Sequence, residues 1–263
     1  MKPILLAWRL SWRLSCVILH IFAGLATCML VFPWIGPARR MDRIARWSRR
    51  VLVTFGVTVE QTGAVAVLQN VLLVANHVSW VDVFVINARY PSHFVAKSEV
   101  RRWPLIGPLA ALAGTVFVAR ERPSELKTTV SLLAAKLGAG ERIACFPEGT
   151  SAAQGDLQPF RANLFEAAIE AGVPVQALAV SYVDDDGAPH PSVEYIATTS
   201  LGESMLAIIK GKPIRARLRA LPPQDPGGAS RRALAAAAHL QVSEALAADA
   251  ESRHEKRRVE NTA

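Results

Sequence analysis

Three patterns of apolar and polar positions follow one another along the chain. Residues 14–33 read LSCVILHIFAGLATCMLVFP, an apolar run without formal charge in which Ser15, His20 and Thr27 are the polar interruptions. A helix of about 20 such residues matches the hydrocarbon core of a bilayer, so the run predicts an N-terminal apolar membrane helix. It is longer than the apolar core of a cleaved leader, and no small-x-small site follows it cleanly, which favours a retained anchor over a signal peptide. Residues 41–55 (MDRIARWSRRVLVTF) turn amphipathic, with Met41, Ile44, Ala45, Trp47, Val51 and Leu52 set among arginines. That pattern suits a helix lying in the interface of an anionic bilayer. A surface helix with a solvated basic face is the plainer alternative.

From about residue 60 short apolar runs alternate with helical stretches, the pattern of an α/β domain. Residues 71–75, 94–96, 115–118, 142–146 and 175–181 predict buried strands. Residues 81–89, 105–113, 124–137 and 163–171 predict helices, the third with Ser124 as N-cap and Gly138 as its stop. After a turn at 184–187, residues 192–195 and 214–221 are further strand candidates, 204–210 a short helix and 231–248 an Ala-rich final helix. The charged tail from Glu251 is expected to be disordered.

Charge and composition narrow the partners. Thirty Lys and Arg against 22 Asp and Glu leave a net charge of +8, which calls for an anionic partner. A mean hydropathy of +0.23 is high for a soluble protein, and no basic patch interleaved with aromatic residues points to nucleic acid. Lys2, Arg9 and Arg13 precede the apolar run, while Arg39, Arg40, Arg43, Arg46, Arg49 and Arg50 follow it. The heavier cluster puts the remainder of the chain on the cytoplasmic side. Because both flanks are basic and Pro33, Gly36 and Pro37 can break the helix, a re-entrant or interfacial arrangement competes with a full crossing. The three cysteines, Cys16, Cys28 and Cys145, form no disulfide framework and no zinc-type pair, in keeping with a reducing compartment.

Candidate chemistry gathers where strands end. Asn76-His77 follows the apolar run 71–75, and Asp82 stands five residues after His77. On a regular helix that spacing turns two side chains about 140° apart. His77 must therefore lie at or before the N-cap for Asp82 to reach back to its ring, fix the tautomer and leave the other nitrogen free to take a proton from an alcohol. Taken alone, a neighbouring His and Asp are commonplace, and a metal site with His93 is an alternative whose spacing matches no familiar pattern. Phe146-Pro147-Glu148-Gly149-Thr150-Ser151 also follows an apolar strand and presents a carboxylate, a glycine and hydroxyls at a turn, although an ordinary strand-to-helix turn would look the same. Residues 114–120 (GTVFVAR) end on Arg120, a possible phosphate ligand or a surface arginine beside Glu121.

Together these elements resemble the phospholipid/glycerol acyltransferase family, which includes the bacterial 1-acylglycerol-3-phosphate acyltransferases. The block N-H-x-x-x-x-D matches Asn76, His77 and Asp82; G-x-x-F-x-x-R matches Gly114, Phe117 and Arg120; F-P-E-G-T matches residues 146–150; and a V-P-V strand start matches Val173, Pro174 and Val175. The four blocks stand in the family's order over about residues 60–200. The resemblance implies an α/β fold with a central mixed sheet flanked by helices. It divides the chain into an N-terminal anchor and interfacial helix at 1–56, an acyltransferase domain at 57–250 and the tail at 251–263.

It further implies acyl transfer, without a cofactor or metal, from acyl-CoA or acyl-carrier protein to the free hydroxyl of a lysolipid. This would occur at the cytoplasmic face of a bacterial-type inner membrane. His77 would be the general base and Asp82 its partner, with no covalent acyl-enzyme. Arg120, Glu148, Gly149 and Thr150 would hold the acceptor's head group, and backbone N–H groups the oxyanion. Many phosphatidate-forming members carry an arginine after the threonine of the third block, where this chain has Ser151. The longer stretch running on to Arg161 looks like that of members acting on lyso-ornithine lipids. Lysophosphatidate stays the default acceptor, since Arg161 could supply the second cation. A catalytically inert lipid-binding domain would show a damaged His–Asp pair, a serine hydrolase a G-x-S-x-G elbow and a nucleotide-binding protein a glycine-rich phosphate loop. None of these is present.

Overall fold

Runs that are apolar on both faces can be buried only between two layers, and three such runs make the middle of the sheet. The strands β1 (Val57–Thr62), β2 (Leu72–Ala75), β3 (His93–Lys97), β4 (Val116–Val118), β5 (Ile143–Cys145), β6 (Val175–Val183) and β7 (Ile214–Ala220) are arranged in the order β1-β7-β6-β2-β5-β3-β4. This computed structural model describes residues 2–63, 65–119, 123–196 and 198–260. Every residue of β2, β5 and β6 is buried. All neighbours are parallel except β6 and β7, so the sheet is mixed, as expected. In β7 the alternation of Ile214, Ala216, Leu218 and Ala220 with three arginines turns one face inward.

The helices are α1 (Lys2–Leu30), α2 (Pro37–Phe55), α3 (Val81–Arg89), α4 (Ile106–Leu112), α5 (Pro123–Gly138), α6 (Glu166–Ala171), α7 (Leu201–Lys210) and α8 (Arg231–Glu260). On one face of the sheet Leu52, Val85 and Ile208, from α2, α3 and α7, pack on Leu73 and Leu218. On the other, Leu133, Ala168 and Val242, from α5, α6 and α8, pack on Leu72 and Val175. A fully buried leucine such as Leu133 contributes about 1.5–3 kcal/mol through the apolar surface it removes from water, so both layers are needed to hold the sheet.

Several elements depart from the sequence expectation. Residues 192–195 are not a strand: Pro191–Val193 form a 3-10 turn, and the N–H of Tyr195 is spent on the Val78 carbonyl. The edge strand β1 was not anticipated, because only Val57 in it is buried. Helix α7 starts three residues early on a capping box formed by Ser200 and Glu203. The stretch 163–171 is a 3-10 turn, Ala162–Phe165, leading into the short α6. Helix α8 continues to Glu260, so the segment expected to be a disordered tail is helical through that residue.

The N-terminal helix does not stand clear of the domain. Arg13 donates to the Ile209 carbonyl of α7 at 3.0 Å, and the Trp47 indole of α2 donates to the His20 carbonyl at 2.9 Å. Cys28 packs with Phe32, Ile44 and, from α4, Leu109. Trp12, Leu19, Phe22, Met29 and Trp34 point outward, Trp34 with 86% of its surface exposed. Ser11–Trp34 is the stretch long and apolar enough to cross a membrane among the described residues.

Candidate active site

Two adjacent strands deliver the site from their carboxyl ends. Strands β2 and β5 pair in register from Leu72 with Ile143 to Val74 with Cys145, so the residues that follow, Asn76-His77 and Phe146-Pro147-Glu148, leave the sheet side by side. Asn76 is buried and bonded both ways to the main chain of Val180 on β6, Nδ2 to the carbonyl at 2.9 Å and Oδ1 from the N–H at 2.8 Å. That pair of hydrogen bonds fixes the strand end just before His77. The chain then turns, and α3 begins at Val81 with Trp80 at the N-cap. His77 thus precedes the helix and Asp82 lies in its first turn, the geometry that the five-residue spacing requires.

The pair meets directly. Nδ1 of His77 lies 2.8 Å from Oδ2 of Asp82, whose side chain is fully buried while that of His77 is 20% exposed. The same oxygen accepts the N–H groups of Val78 at 2.8 Å and Ser79 at 3.0 Å, and Oδ1 accepts the hydroxyl of Tyr182. Donors thus reach both oxygens of Asp82. With an acceptor oxygen against it, Nδ1 is the nitrogen that donates in a neutral imidazole, which leaves Nε2 as the acceptor. The His77 ring stacks on Phe146, with centroids 4.0 Å apart and planes 9° from parallel, which locks its rotation.

Glu148 is turned inward. It is 4% exposed, and its two oxygens accept the N–H of His77 at 2.5 Å and of Gln158 at 2.8 Å. Burial lifts its carboxyl from 4.5 to about 7, against the pull of these two hydrogen bonds toward the anion. With both oxygens engaged, Glu148 buckles the loop at 151–158 to the backbone of His77. Gly149 adopts φ +83°, a left-handed conformation that disfavours a side chain, and Thr150 is exposed at the rim. Ser151 donates to the Tyr195 carbonyl, and the N–H of Arg161 bonds the Pro147 carbonyl at 3.0 Å. A cavity of about 410 Å³ opens beneath this loop toward α8, with Ser181, Ser243 and Leu246 in its walls.

Arg120 lies outside the described residues. Of the rest of its block, Gly114 has φ +89°, and a Cβ there would stand 2.3 Å from Nδ1 of His93; Phe117 lies under the Arg101 guanidinium at 5.7 Å. His93 opens β3 in register with Ile143, whose partner Leu72 is five residues before His77. At roughly 3.3 Å per residue the two histidines are about 16 Å apart along the strands, too far to share a metal, and His93 contacts Glu141 at 3.2 Å instead. Sequence reasoning missed Tyr182 and Gln158. The one signal for Tyr182 was a polar tip inside a buried apolar strand, which needs a partner.

A profile of the Acyltransferase family matches residues 56–181. The chain is 36% identical over 152 residues to a 1-acyl-sn-glycerol-3-phosphate acyltransferase of Neisseria meningitidis, a match covering 57% of this chain and 60% of that protein. It is 35% identical over 206 residues to a lyso-ornithine lipid O-acyltransferase of Pseudomonas aeruginosa, covering 78% of this chain and 79% of that one. The chain therefore spans about three fifths of the first relative and most of the second. The crystal structure of a 1-acyl-sn-glycerophosphate acyltransferase from Thermotoga maritima superposes with a TM-score of 0.66 at 21% identity, over 94% of this chain and 96% of that one. At that identity the likeness shows the shared fold.

Proposed function

This chain belongs to the acyltransferase family, and we propose that it transfers a fatty acyl group from a thioester, acyl-CoA or acyl-carrier protein, to the free hydroxyl of a lysolipid. The observation that carries the reading is the His77–Asp82 pair: a buried carboxylate on Nδ1, a locked ring and an Nε2 left to accept a proton. In this mechanism Nε2 removes the hydroxyl proton as the oxygen attacks the thioester carbonyl. The tetrahedral intermediate collapses with loss of the thiolate, which takes the proton back from the imidazolium. Asp82 steadies the imidazolium in between.

We assign Gly149 and Thr150 to the acceptor's head group, as the motif resemblance implies, while Glu148 acts from beneath, on the main chain of His77. We take 1-acyl-sn-glycerol-3-phosphate as the default acceptor, giving phosphatidate, with Arg120 and Arg161 as its cations. A lyso-ornithine lipid is the second reading. It is favoured by Ser151, whose hydroxyl is spent on Tyr195 where many phosphatidate-forming members carry an arginine, and by the longer match to the Pseudomonas relative.

We assign the outward apolar side chains of α1 and the exposed arginines of α2 to a membrane surface, with the catalytic domain on the cytoplasmic face. The packing of α1 along the domain supports an in-plane or re-entrant seat over a free-standing span. The test is to supply the detergent-solubilised protein with acyl-CoA or acyl-carrier protein and a panel of lysolipids, following thiol release. His77→Ala should lower turnover by about 10³-fold or more in a protein that still folds, as read by circular dichroism, since general-base catalysis alone contributes 10²–10⁴-fold. Near-full activity in that variant would refute the mechanism, and preference for lyso-ornithine lipid would install the second acceptor.

A further inference from the structure

The hydrogen bonds around Asp82 reach one residue that the proposed mechanism does not use. An ionised carboxylate withdrawn from water is tolerated when donors fill its lone pairs. For Asp82 three donors converge on Oδ2: Nδ1 of His77 and the N–H groups of Val78 and Ser79. The other oxygen, Oδ1, accepts from the phenol of Tyr182. Tyr182 is itself fully buried on β6, on the sheet face that carries α3. Burial and the adjacent carboxylate push its own ionisation well above the ordinary tyrosine range, so it remains a neutral donor.

We infer that Tyr182 is a positioning residue for the acyl transfer proposed above, its hydroxyl orienting the Asp82 carboxylate and setting the proton affinity of the His77–Asp82 pair. The inference rests on the reading of His77 as the base. Three donors pull on one oxygen of Asp82, and Tyr182 supplies the counterweight on the other. Its hydroxyl therefore fixes the plane of the carboxylate, and with it the line from Oδ2 to Nδ1. It also spreads the negative charge. Without that donor the anion is less stabilised, and the pair compensates by binding its proton more tightly, whichever of the two residues carries it. The free base would then appear only at higher pH. Glu148, whose carboxyl accepts the His77 N–H and is lifted to about 7 by burial, is the other titratable group facing the pair and is common to wild type and variant. The main chain of Tyr182 is tied separately, its N–H donating to Oε1 of Gln154 at 2.7 Å. Removing the hydroxyl alone leaves that tie in place.

The experiment uses the full-length protein in detergent. The pH profile of kcat/KM is compared for wild type and Tyr182→Phe. In parallel, the pH midpoint for modification of His77 by diethylpyrocarbonate is read by peptide mass spectrometry, which needs no turnover. Both the acid limb and the midpoint are expected to rise by about one pH unit, a tenfold loss at the acid end. Site-specific replacement of Tyr182 by 3-fluorotyrosine, a stronger donor of nearly the same shape, should move both in the opposite direction, and it serves if the Phe variant does not fold. A uniform fall across all pH values with an unmoved His77 midpoint, or no movement with 3-fluorotyrosine, would overturn the inference. If wild type acylates no lysolipid, the functional reading fails while the modification midpoints still decide the role of Tyr182.

Discussion

Replacing Glu148 with glutamine removes a charge and almost no volume from a side chain that is 4% exposed, and it should change how stability depends on pH. Burial raises the folded pKa from 4.5 to about 7, whereas the unfolded chain titrates near the ordinary value. Between these limits the folded protein keeps a proton that the unfolded chain has lost. The stabilisation is complete below about 4.5 and falls away as pH rises through about 7. At about 1.36 kcal/mol per unit the whole change amounts to about 3 kcal/mol. Glutamine does not titrate. Its amide also sets a donor against one of the two backbone N–H groups, a fixed penalty of about 1–3 kcal/mol that does not vary with pH. The difference between variant and wild type should therefore move in the variant's favour by about 3 kcal/mol from pH 4.5 to pH 8.5. For a chain of this size that is on the order of 6–12 °C in the relative thermal midpoint. Melting curves of both proteins in one detergent, at matched scan rate across that range, measure it. Parallel pH dependences would show that Glu148 is not the buried acid argued for here.

Two further substitutions test other parts of the structure. Gly114→Ala forces a side chain into φ +89° and against His93; backbone strain and overpacking together should cost about 2–4 kcal/mol, seen as a lower thermal midpoint, and an unchanged midpoint would refute the close approach. Trp34→Glu places a charge on the most exposed large apolar side chain among the described residues and should weaken sedimentation with anionic phospholipid vesicles by roughly tenfold or more. Unchanged partitioning would remove Trp34 from the membrane face.

The layers of the fold could be read in the chain because β2, β5 and β6 are apolar on both faces and the helices between them are not. What escaped had specific physical causes. Strand β1 exposes Thr58, Glu60 and Gln61 at the sheet's edge, so it lacks an apolar run. The end of α8 is rich in Glu, Lys and Arg, which are good helix formers as well as common disorder formers, and charge density alone does not choose between the two. Within the site, the His77–Asp82 contact was recoverable because it is local and its spacing demands a turn. The Tyr182 contact spans 100 residues and exists only once β6 is laid beside β2. For the same reason the inward turn of Glu148 was hidden: its motif shows a carboxylate at a strand end, and only the fold supplies the N–H of Gln158 on its far side.

The clasp of α1 to the domain, through Arg13 and the Ile209 carbonyl and through Trp47 and the His20 carbonyl, also sets how the two substrates would be found. An anchor on a flexible tether would let the catalytic centre roam in a shell above the bilayer. Here the apolar helix is packed onto the domain, and under the proposed membrane seat that packing would hold His77 at a constant height from the lipid plane. If the proposed acyl transfer holds, the acceptor would be gathered by a two-dimensional search along the membrane and the thioester by a three-dimensional search from the aqueous side. The rate should accordingly follow the lysolipid's mole fraction in the surface rather than its bulk concentration.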